Sequence, residues 1–196
     1  ITEHGVEFTC IDGKEPVGIC GSGILAVLKE LIRTGLVRKN GAFVKKENIP
    51  EEDYRYPMIR MNGKKREFLI CEAPELVVTQ GDIRQVQLAK GAILSGFLAL
   101  LNKAGISMEE LDKVMIAGQF GAHLPAESLT GTGILPKEGE DKIIYGGNSS
   151  KTGAYMTLLS EQVKEEMEGL AERMEYIELA ETENYEKIFA ESMRFV

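Results

Sequence analysis

Apolar residues recur at the helical period in two parts of the chain. The first predicted helix begins at Ser22, its candidate N-cap, and ends at Gly35. Its apolar positions are Ile24, Leu25, Leu28, Leu31 and Ile32.

The second predicted helix runs from the capping box of Thr79 and Asp82 to Gly105. Its apolar stripe is formed by Ile83, Val86, Lys90, Ile93, Phe97 and Leu101. Lys90 on this stripe either reaches an anionic ligand or extends to solvent.

The region before the long helix has strand-like patterns instead. Two short strands are predicted at 6–10 and 16–19. Residues 58–61 and 66–71 flank Asn62-Gly63, a strong hairpin signal, and 76–78 returns to the core. Residues 36–78 are therefore interpreted as a β-rich insertion within one α/β unit that spans 1–196.

Strands and helices alternate in the second half of the chain. Strands are predicted at 113–117, 142–145 and 174–179, each followed by a helical segment. This order predicts a mostly parallel sheet flanked by helices, with right-handed crossovers.

Two glycine turns follow these strands. Gly118, Gln119, Phe120 and Gly121 end the first strand, and Gly147 and Asn148 follow the second. Ligands of open parallel sheets bind at the carboxyl ends of the strands, where helix N-termini also point. The two turns therefore predict a site for a nucleotide-sized anion, and the alternative is a plain exit from strand to loop.

A third turn, Gly21-Ser22-Gly23, precedes the first helix in a G-x-G-x-x-A pattern. A dinucleotide site would need an acidic residue about 20 positions further on, but that region reads Arg38-Lys39-Asn40. The wall of another anion pocket is the favoured interpretation. The segment 147–152 ends like a Walker A loop, but Ser150 replaces its essential glycine.

Composition narrows the possible functions. A length of 196 residues with 43% hydrophobic content is enough for one domain or one lobe of a larger protein, and Ile1 at the start suggests a piece of a longer chain. The formal charge of −8 argues against nucleic-acid or anionic-membrane partners. No apolar run approaches the ~20 residues that span a bilayer, so a soluble protein is expected.

The cysteines and histidines do not encode a metal or disulfide framework. Cys10, Cys20 and Cys71 are odd in number and include no Cys-x-x-Cys pair, which favours reduced thiols and a cytoplasmic location. His4 and His123 are far apart in sequence. No metal site is predicted in this chain.

Four segments together resemble the C-terminal domain of reductive activators of corrinoid proteins. They are Val17 to Ile24, Thr79 to Ala92, Ile116 to Gly121 with Gly133 to Pro136, and Gly147-Asn148. The resemblance extends over nearly the whole chain. It implies the second lobe of an actin-like (ribonuclease H-like) ATPase fold, shared with sugar and acetate kinases.

The resemblance also implies cofactors, partners and site residues. Such proteins use ATP to drive reduction of a Co(II) corrinoid to Co(I) in a methyltransferase system. Gly118 to Gly121 matches the adenosine motif, with Gln119 in place of its second glycine. Mg²⁺ and the phosphates are expected to be bound mainly by regions outside this chain, and the iron–sulfur cluster only in an N-terminal domain. The corrinoid protein is the expected partner, and a homodimer is possible.

Three alternative functions are compatible with the sequence. The first is the ATP-binding portion of a corrinoid activator, which alone would not hydrolyse ATP efficiently without the missing phosphate loops. The second is a lobe of a small-metabolite kinase on the same fold. The third is a non-catalytic nucleotide-binding or oligomerisation module.

Overall fold

The structure is a computed structural model that describes residues 1–196, apart from the side chain of Ala122. The helices are α1 (Gly21–Arg33), α2 (Gln80–Ala104), α3 (Ala126–Gly131), α4 (Ser149–Leu159), α5 (Glu161–Glu172) and α6 (Tyr185–Ser192). The strands are β1 (Ile59–Asn62), β2 (Lys65–Cys71), β3 (Leu76–Thr79), β4 (Val114–Ala117) and β5 (Ile143–Gly147). Single 3-10 turns lie at 11–13, 46–48, 121–123 and 179–181, and a longer one at 137–142.

The first half of the chain folds around an antiparallel sheet in the order β1-β2-β3. The hairpin predicted around Asn62-Gly63 is confirmed, because Asn62 pairs with Lys65 across the turn. Ile59, Phe68 and Val78, one from each strand, are fully buried. They pack with Leu28 and Leu31 of α1 in the larger of two hydrophobic clusters.

Helix α1 begins one residue before the predicted start. Cys20 is the N-cap, and its Sγ accepts a hydrogen bond from the amide of Gly23 at 3.4 Å. The prediction that Ser22 caps the helix is wrong, because Ser22 already lies within the first turn. The predicted end is confirmed, since Gly35 adopts a φ of +72° directly after the C-cap Thr34.

Helix α2 confirms the predicted capping box and terminus. The Thr79 hydroxyl accepts from the amide of Asp82, the Asp82 carboxylate accepts from the amide of Thr79, and Gly105 ends the helix in the left-handed conformation. The predicted apolar stripe is only partly correct. Ile83 and Leu101 are buried, but Ile93 is 54% exposed, because α6 packs against the face that carries Gly91 and Ser95 instead.

Lys90 neither reaches solvent nor faces an open cleft. Its side chain is 2% exposed, and its ammonium donates to the carbonyl oxygens of Ser192 and Arg194, each at 2.5 Å. These carbonyls belong to the end of α6, where the helix dipole favours a cation. Burial lowers the pKa of Lys90 to about 8. Both sequence alternatives for this residue are therefore wrong, and its role is to fix the C-terminal segment.

Replacing this ammonium should destabilise the fold. In Lys90→Met the buried carbonyls of Ser192 and Arg194 lose their donor, so we expect the free energy of unfolding to fall by about 2 kcal/mol. Denaturant titration measures this loss. Lys103→Met is the matched control on the same helix, because its ion pair with Glu175 is solvent-exposed and should contribute less than about 1 kcal/mol.

The Lys90→Met variant also tests the lowered pKa of Lys90. Because the folded protein holds Lys90 with a pKa of about 8 while an unfolded chain keeps it near ~10.4, the unfolded state binds more protons between these values. The contribution of Lys90 to the free energy of unfolding therefore rises with pH across that window and is constant below it. The stability difference between the unaltered protein and Lys90→Met should grow from about pH 8 to pH 10. A difference independent of pH would contradict this assignment.

The second half of the chain packs around the parallel pair β4-β5. Val114 pairs with Ile143 and Ile116 with Tyr145. Val114 is buried in the second hydrophobic cluster, together with Leu25 of α1 and Leu129 of α3. The two predicted strands at 113–117 and 142–145 are confirmed within a residue or two.

Three other predicted strands are wrong. Residues 6–10, 16–19 and 174–179 have no neighbouring strand with which to pair, and Val17 and Tyr176 are 96% and 82% exposed. Alternating composition is not enough for a strand without a partner backbone. The parallel sheet is therefore smaller than predicted, with two strands in place of three. The interpretation of residues 36–78 as an insertion stays a prediction.

Candidate functional site

Strands β4 and β5 bring two of the predicted turns together at their carboxyl ends. The amide of Gly118 donates to the carbonyl oxygen of Gly147 at 2.7 Å. Gly118 has a φ of +96° and Gly147 a φ of +60°, and no heavy atom beyond their chain neighbours lies within 4 Å of a Cβ built at either position. Both residues therefore combine a backbone that favours glycine with open space in front of it. Such backbone would permit the close approach of a ligand.

The third turn reaches the same place through the ring of Phe120. A Cβ atom added at Gly21 would lie 2.2 Å from Cε2 of Phe120, so the ring packs directly on the glycine backbone. The start of α1 thereby contacts the turn after β4. Phe120 stays 57% exposed, which leaves part of its ring free for a ligand. The three turns that the sequence predicted separately thus contact one another, and the open space in front of them is called the cleft below.

Two of the predicted glycines lie close to other side chains. Gly121 is buried, and a Cβ there would lie 2.6 Å from Cγ2 of Ile116. At Gly23 a Cβ would lie 3.2 Å from Cγ2 of Ile19. Gln119, between Gly118 and Gly121, has an exposed side chain.

Asn148 and Ser22 are engaged in local contacts at helix starts. The side chain of Asn148 accepts from the amide of Lys151 at 3.1 Å and caps α4. The hydroxyl of Ser22 lies 3.3 Å from Sγ of Cys20. Helices α1 and α4 both begin beside the glycine turns, and the positive ends of their dipoles favour an anion there.

Sequence reasoning missed two residues of this region. Cys20 caps α1, and the hydrogen bonds from Ser22 and from the amide of Gly23 lower the pKa of its thiol. Tyr145 of β5 donates its hydroxyl proton to the carbonyl oxygen of Leu124 at 2.5 Å, which ties β5 to the segment after Gly121. Cysteine is not among the residues preferred at helix N-caps, so no sequence signal marked Cys20 as the cap.

The surface formed by the three turns has chemistry that would suit binding. It presents open glycine backbone, a half-exposed aromatic ring and two helix N-termini. Among the described residues, no three His, Cys, Asp or Glu side chains are grouped to hold a metal ion. Within the same residues, no helix combines the length and apolarity needed to cross a membrane.

Comparisons with known proteins agree on one group. The family described as the C-terminal domain of RACo, the ASKHA domain, matches residues 1–196. The corrinoid activation enzyme RamQ of Eubacterium limosum is 33% identical over 172 residues, which cover 82% of this chain and 28% of RamQ. The [Co(II) methylated amine-specific corrinoid protein] reductase of Methanosarcina barkeri is 24% identical over 179 residues, 90% of this chain and 29% of that protein.

A solved structure of a similar protein agrees with these sequence matches. A reductive activator for corrinoid, iron-sulfur protein superposes with a TM-score of 0.84 and 30% sequence identity, over 96% of this chain and 30% of that one. The chain therefore spans less than a third of the length of each of these relatives.

Proposed function

The chain belongs to the family of RACo C-terminal domains, which are ASKHA (actin-like ATPase) domains, and we propose that it is the ATP-binding portion of a reductive activator of a corrinoid protein. Its family membership confirms the resemblance and the α/β fold class predicted from sequence. The observation that carries the proposal is the cleft in which Gly118, Gly147 and Phe120 meet the start of α1.

In this proposal the adenosine of ATP lies against the turn Gly118 to Gly121. Open backbone at Gly118 allows close approach, and the exposed part of the Phe120 ring offers an apolar face to the base. Gly21, Ser22 and Gly23 form one wall, and Gly147 and Asn148 the other. Gln119 projects a side chain where a second glycine would leave more room.

Mg²⁺ and the phosphate groups are proposed to be held mainly by parts of the protein outside residues 1–196. The open backbone at Gly118 and the aromatic ring of Phe120 suit the nucleoside. Residues 1–196 would then be one lobe of a longer protein, with residues 36–78 as a β-rich insertion, and a cytoplasmic location would suit its three free cysteines.

The partner in the proposal is a corrinoid protein. Each relative named above is described by its action on a corrinoid or corrinoid protein. The reaction transfers one electron to Co(II) and yields Co(I). The electron would come from an iron–sulfur cluster in another domain of the full-length protein, and ATP binding would make the transfer favourable.

A corrinoid-reduction assay tests this function. Full-length protein, reduced with titanium(III) citrate, is mixed with its Co(II) corrinoid protein, and Co(I) is followed by its absorption with and without MgATP. We expect Co(I) to accumulate at least about tenfold faster with ATP, because a tenfold effect needs only ~1.4 kcal/mol from nucleotide binding. Equal rates in both reactions would contradict the proposal, and a non-hydrolysable analogue separates ATP binding from hydrolysis.

A further inference from the structure

Residues 118–124 form the loop that follows β4, and β5 holds both of its ends. At the start, the amide of Gly118 donates to the carbonyl oxygen of Gly147 at 2.7 Å. At the end, the hydroxyl of Tyr145 donates to the carbonyl oxygen of Leu124 at 2.5 Å. Tyr145 and Gly147 lie two positions apart on one strand, so this strand sets the distance between the two ends of the loop.

The pairing of β4 with β5 changes register beside this loop. Ile116 pairs with Tyr145, but the next residue, Ala117, pairs with Gly147, so Gly146 is an extra residue in β5. Bulges of this kind redirect side chains or end strand pairing, and they are frequent next to functional sites. Here the bulge lies between the two groups of β5 that hold the 118–124 loop.

Leu124 connects the tyrosine hydroxyl to the glycine turn. Its amide donates to the carbonyl oxygen of Gly121 at 3.1 Å, while its own carbonyl oxygen accepts the hydrogen bond from Tyr145. The amide of His123 donates to the carbonyl oxygen of Phe120 at 3.2 Å. Two successive backbone hydrogen bonds therefore link the end of the loop to Gly121 and Phe120, which belong to the proposed adenosine contact.

The carbonyl group of Leu124 depends on the tyrosine for its hydrogen bond. Within the part of the chain that the structure describes, no backbone amide donates to this oxygen. Pro125 follows and has no amide proton, and the amide of Ser128 donates to Pro125 instead, at 2.9 Å. Without the hydroxyl, this carbonyl would have to turn towards water, and the peptide that carries the hydrogen bond to Gly121 would shift with it.

We propose that Tyr145 is a positioning residue of the nucleotide site, whose hydroxyl holds the 118–124 loop in the conformation that receives the adenosine of ATP. This inference rests on the proposed function. Tyr145 acts through Leu124 and Gly121 and does not itself touch the nucleotide. Its hydroxyl therefore affects the binding of the adenosine and leaves the binding of the phosphates unchanged.

The substitution Tyr145→Phe isolates the hydroxyl, because it keeps the ring. In the full-length protein, adenosine and inorganic tripolyphosphate are each titrated in competition with a fluorescent ATP analogue. We expect the affinity for ATP and for adenosine to fall about fivefold, the size of one lost hydrogen bond, and the affinity for tripolyphosphate to stay the same. An equal loss for tripolyphosphate, or no loss for adenosine, would overturn the positioning role.

Tyr185→Phe is the matched control. The hydroxyl of Tyr185 on α6 lies 3.0 Å from Oγ of Ser95 on α2, so this variant also loses one tyrosine hydrogen bond and keeps the ring. Both variants should lower the melting temperature by similar amounts, but only Tyr145→Phe should weaken adenosine binding. Equal losses of adenosine affinity would mean that general destabilisation is the cause, and the assignment of Tyr145 would fail.

Hydrogen exchange without nucleotide tests the effect on the loop itself. In Tyr145→Phe the backbone amides of residues 118–124 should exchange about fivefold faster than in the unaltered protein, because one of the two ends of the loop has been released. The same amides should exchange at the unaltered rate in Tyr185→Phe. Unchanged exchange in Tyr145→Phe would show that the hydroxyl does not hold the loop and would overturn the inference.

The failure of this inference can be distinguished from the failure of the proposed function. If Gly118→Val weakened ATP binding while Tyr145→Phe did not, the role of Tyr145 would be overturned and the nucleotide site would stand. If the loop of Tyr145→Phe exchanged faster without any loss of adenosine affinity, the role would be overturned and the loop would lie outside the site. If the unaltered full-length protein bound no ATP, both proposals would fail.

Discussion

Replacing Gly118 with Val should weaken ATP binding by the full-length protein about a hundredfold. Gly118 has a φ of +96°, which is strained for a β-branched side chain by about 1–3 kcal/mol. The new methyl groups would also project into open space, where the nucleotide is proposed to lie. The strain lowers the stability of the folded protein, whereas the clash of the methyl groups with the nucleotide should cost about 2.8 kcal/mol of binding free energy, because each 1.4 kcal/mol changes the affinity about tenfold. Titration with a fluorescent ATP analogue measures the loss.

The control for Gly118→Val separates backbone strain from loss of the site. Gly5 has a φ of +117°, and like Gly118 it has no heavy atom within 4 Å of a Cβ position beyond its chain neighbours. Gly5→Val should therefore cost similar stability with no loss of ATP affinity. Unchanged affinity in Gly118→Val, or an equal loss in both variants, would remove Gly118 from the site.

The second large loss of ATP affinity is expected when Gly21 is replaced. A methyl group in Gly21→Ala would lie 2.2 Å from the Phe120 ring and force the ring to move. Because this contact joins the start of α1 to the turn after β4, ATP affinity should fall about tenfold or more, equivalent to at least ~1.4 kcal/mol. The fold should persist, because Phe120 is 57% exposed and its ring can move towards solvent.

A double-mutant cycle gives this second prediction its control. If the loss in Gly21→Ala arises from displacing the ring, it should disappear in a Phe120→Ala background, where no ring remains to be displaced. Additive losses in the double variant would mean that Gly21 acts through another contact.

Local signals accounted for the parts of the fold that the sequence predicted correctly. The capping box of Thr79 and Asp82, the Asn62-Gly63 hairpin and the glycine after α1 are each read from a few adjacent residues. The two turns of the cleft could also be located, because β4 and β5 are short apolar runs that end in glycine. Their parallel pairing then places both turns at one edge.

The errors arose where a distant segment decides the environment. Ile93 matches the helical period but is exposed, because α6 packs against a different face of α2. Lys90 is buried because the carbonyls of Ser192 and Arg194, about 100 positions away in the chain, receive its ammonium. The contact between Gly21 and Phe120 likewise joins residues about 100 positions apart. No local pattern predicts such pairs.

The central claim is that the three glycine turns form the nucleotide site, and a crystal structure of the full-length protein with a non-hydrolysable ATP analogue and Mg²⁺ tests it most directly. The account predicts adenosine density in contact with Gly118 to Gly121 and beside Gly21 and Gly147, with the phosphates directed towards other parts of the protein. Adenosine bound elsewhere, with this cleft filled by side chains or solvent, would contradict it.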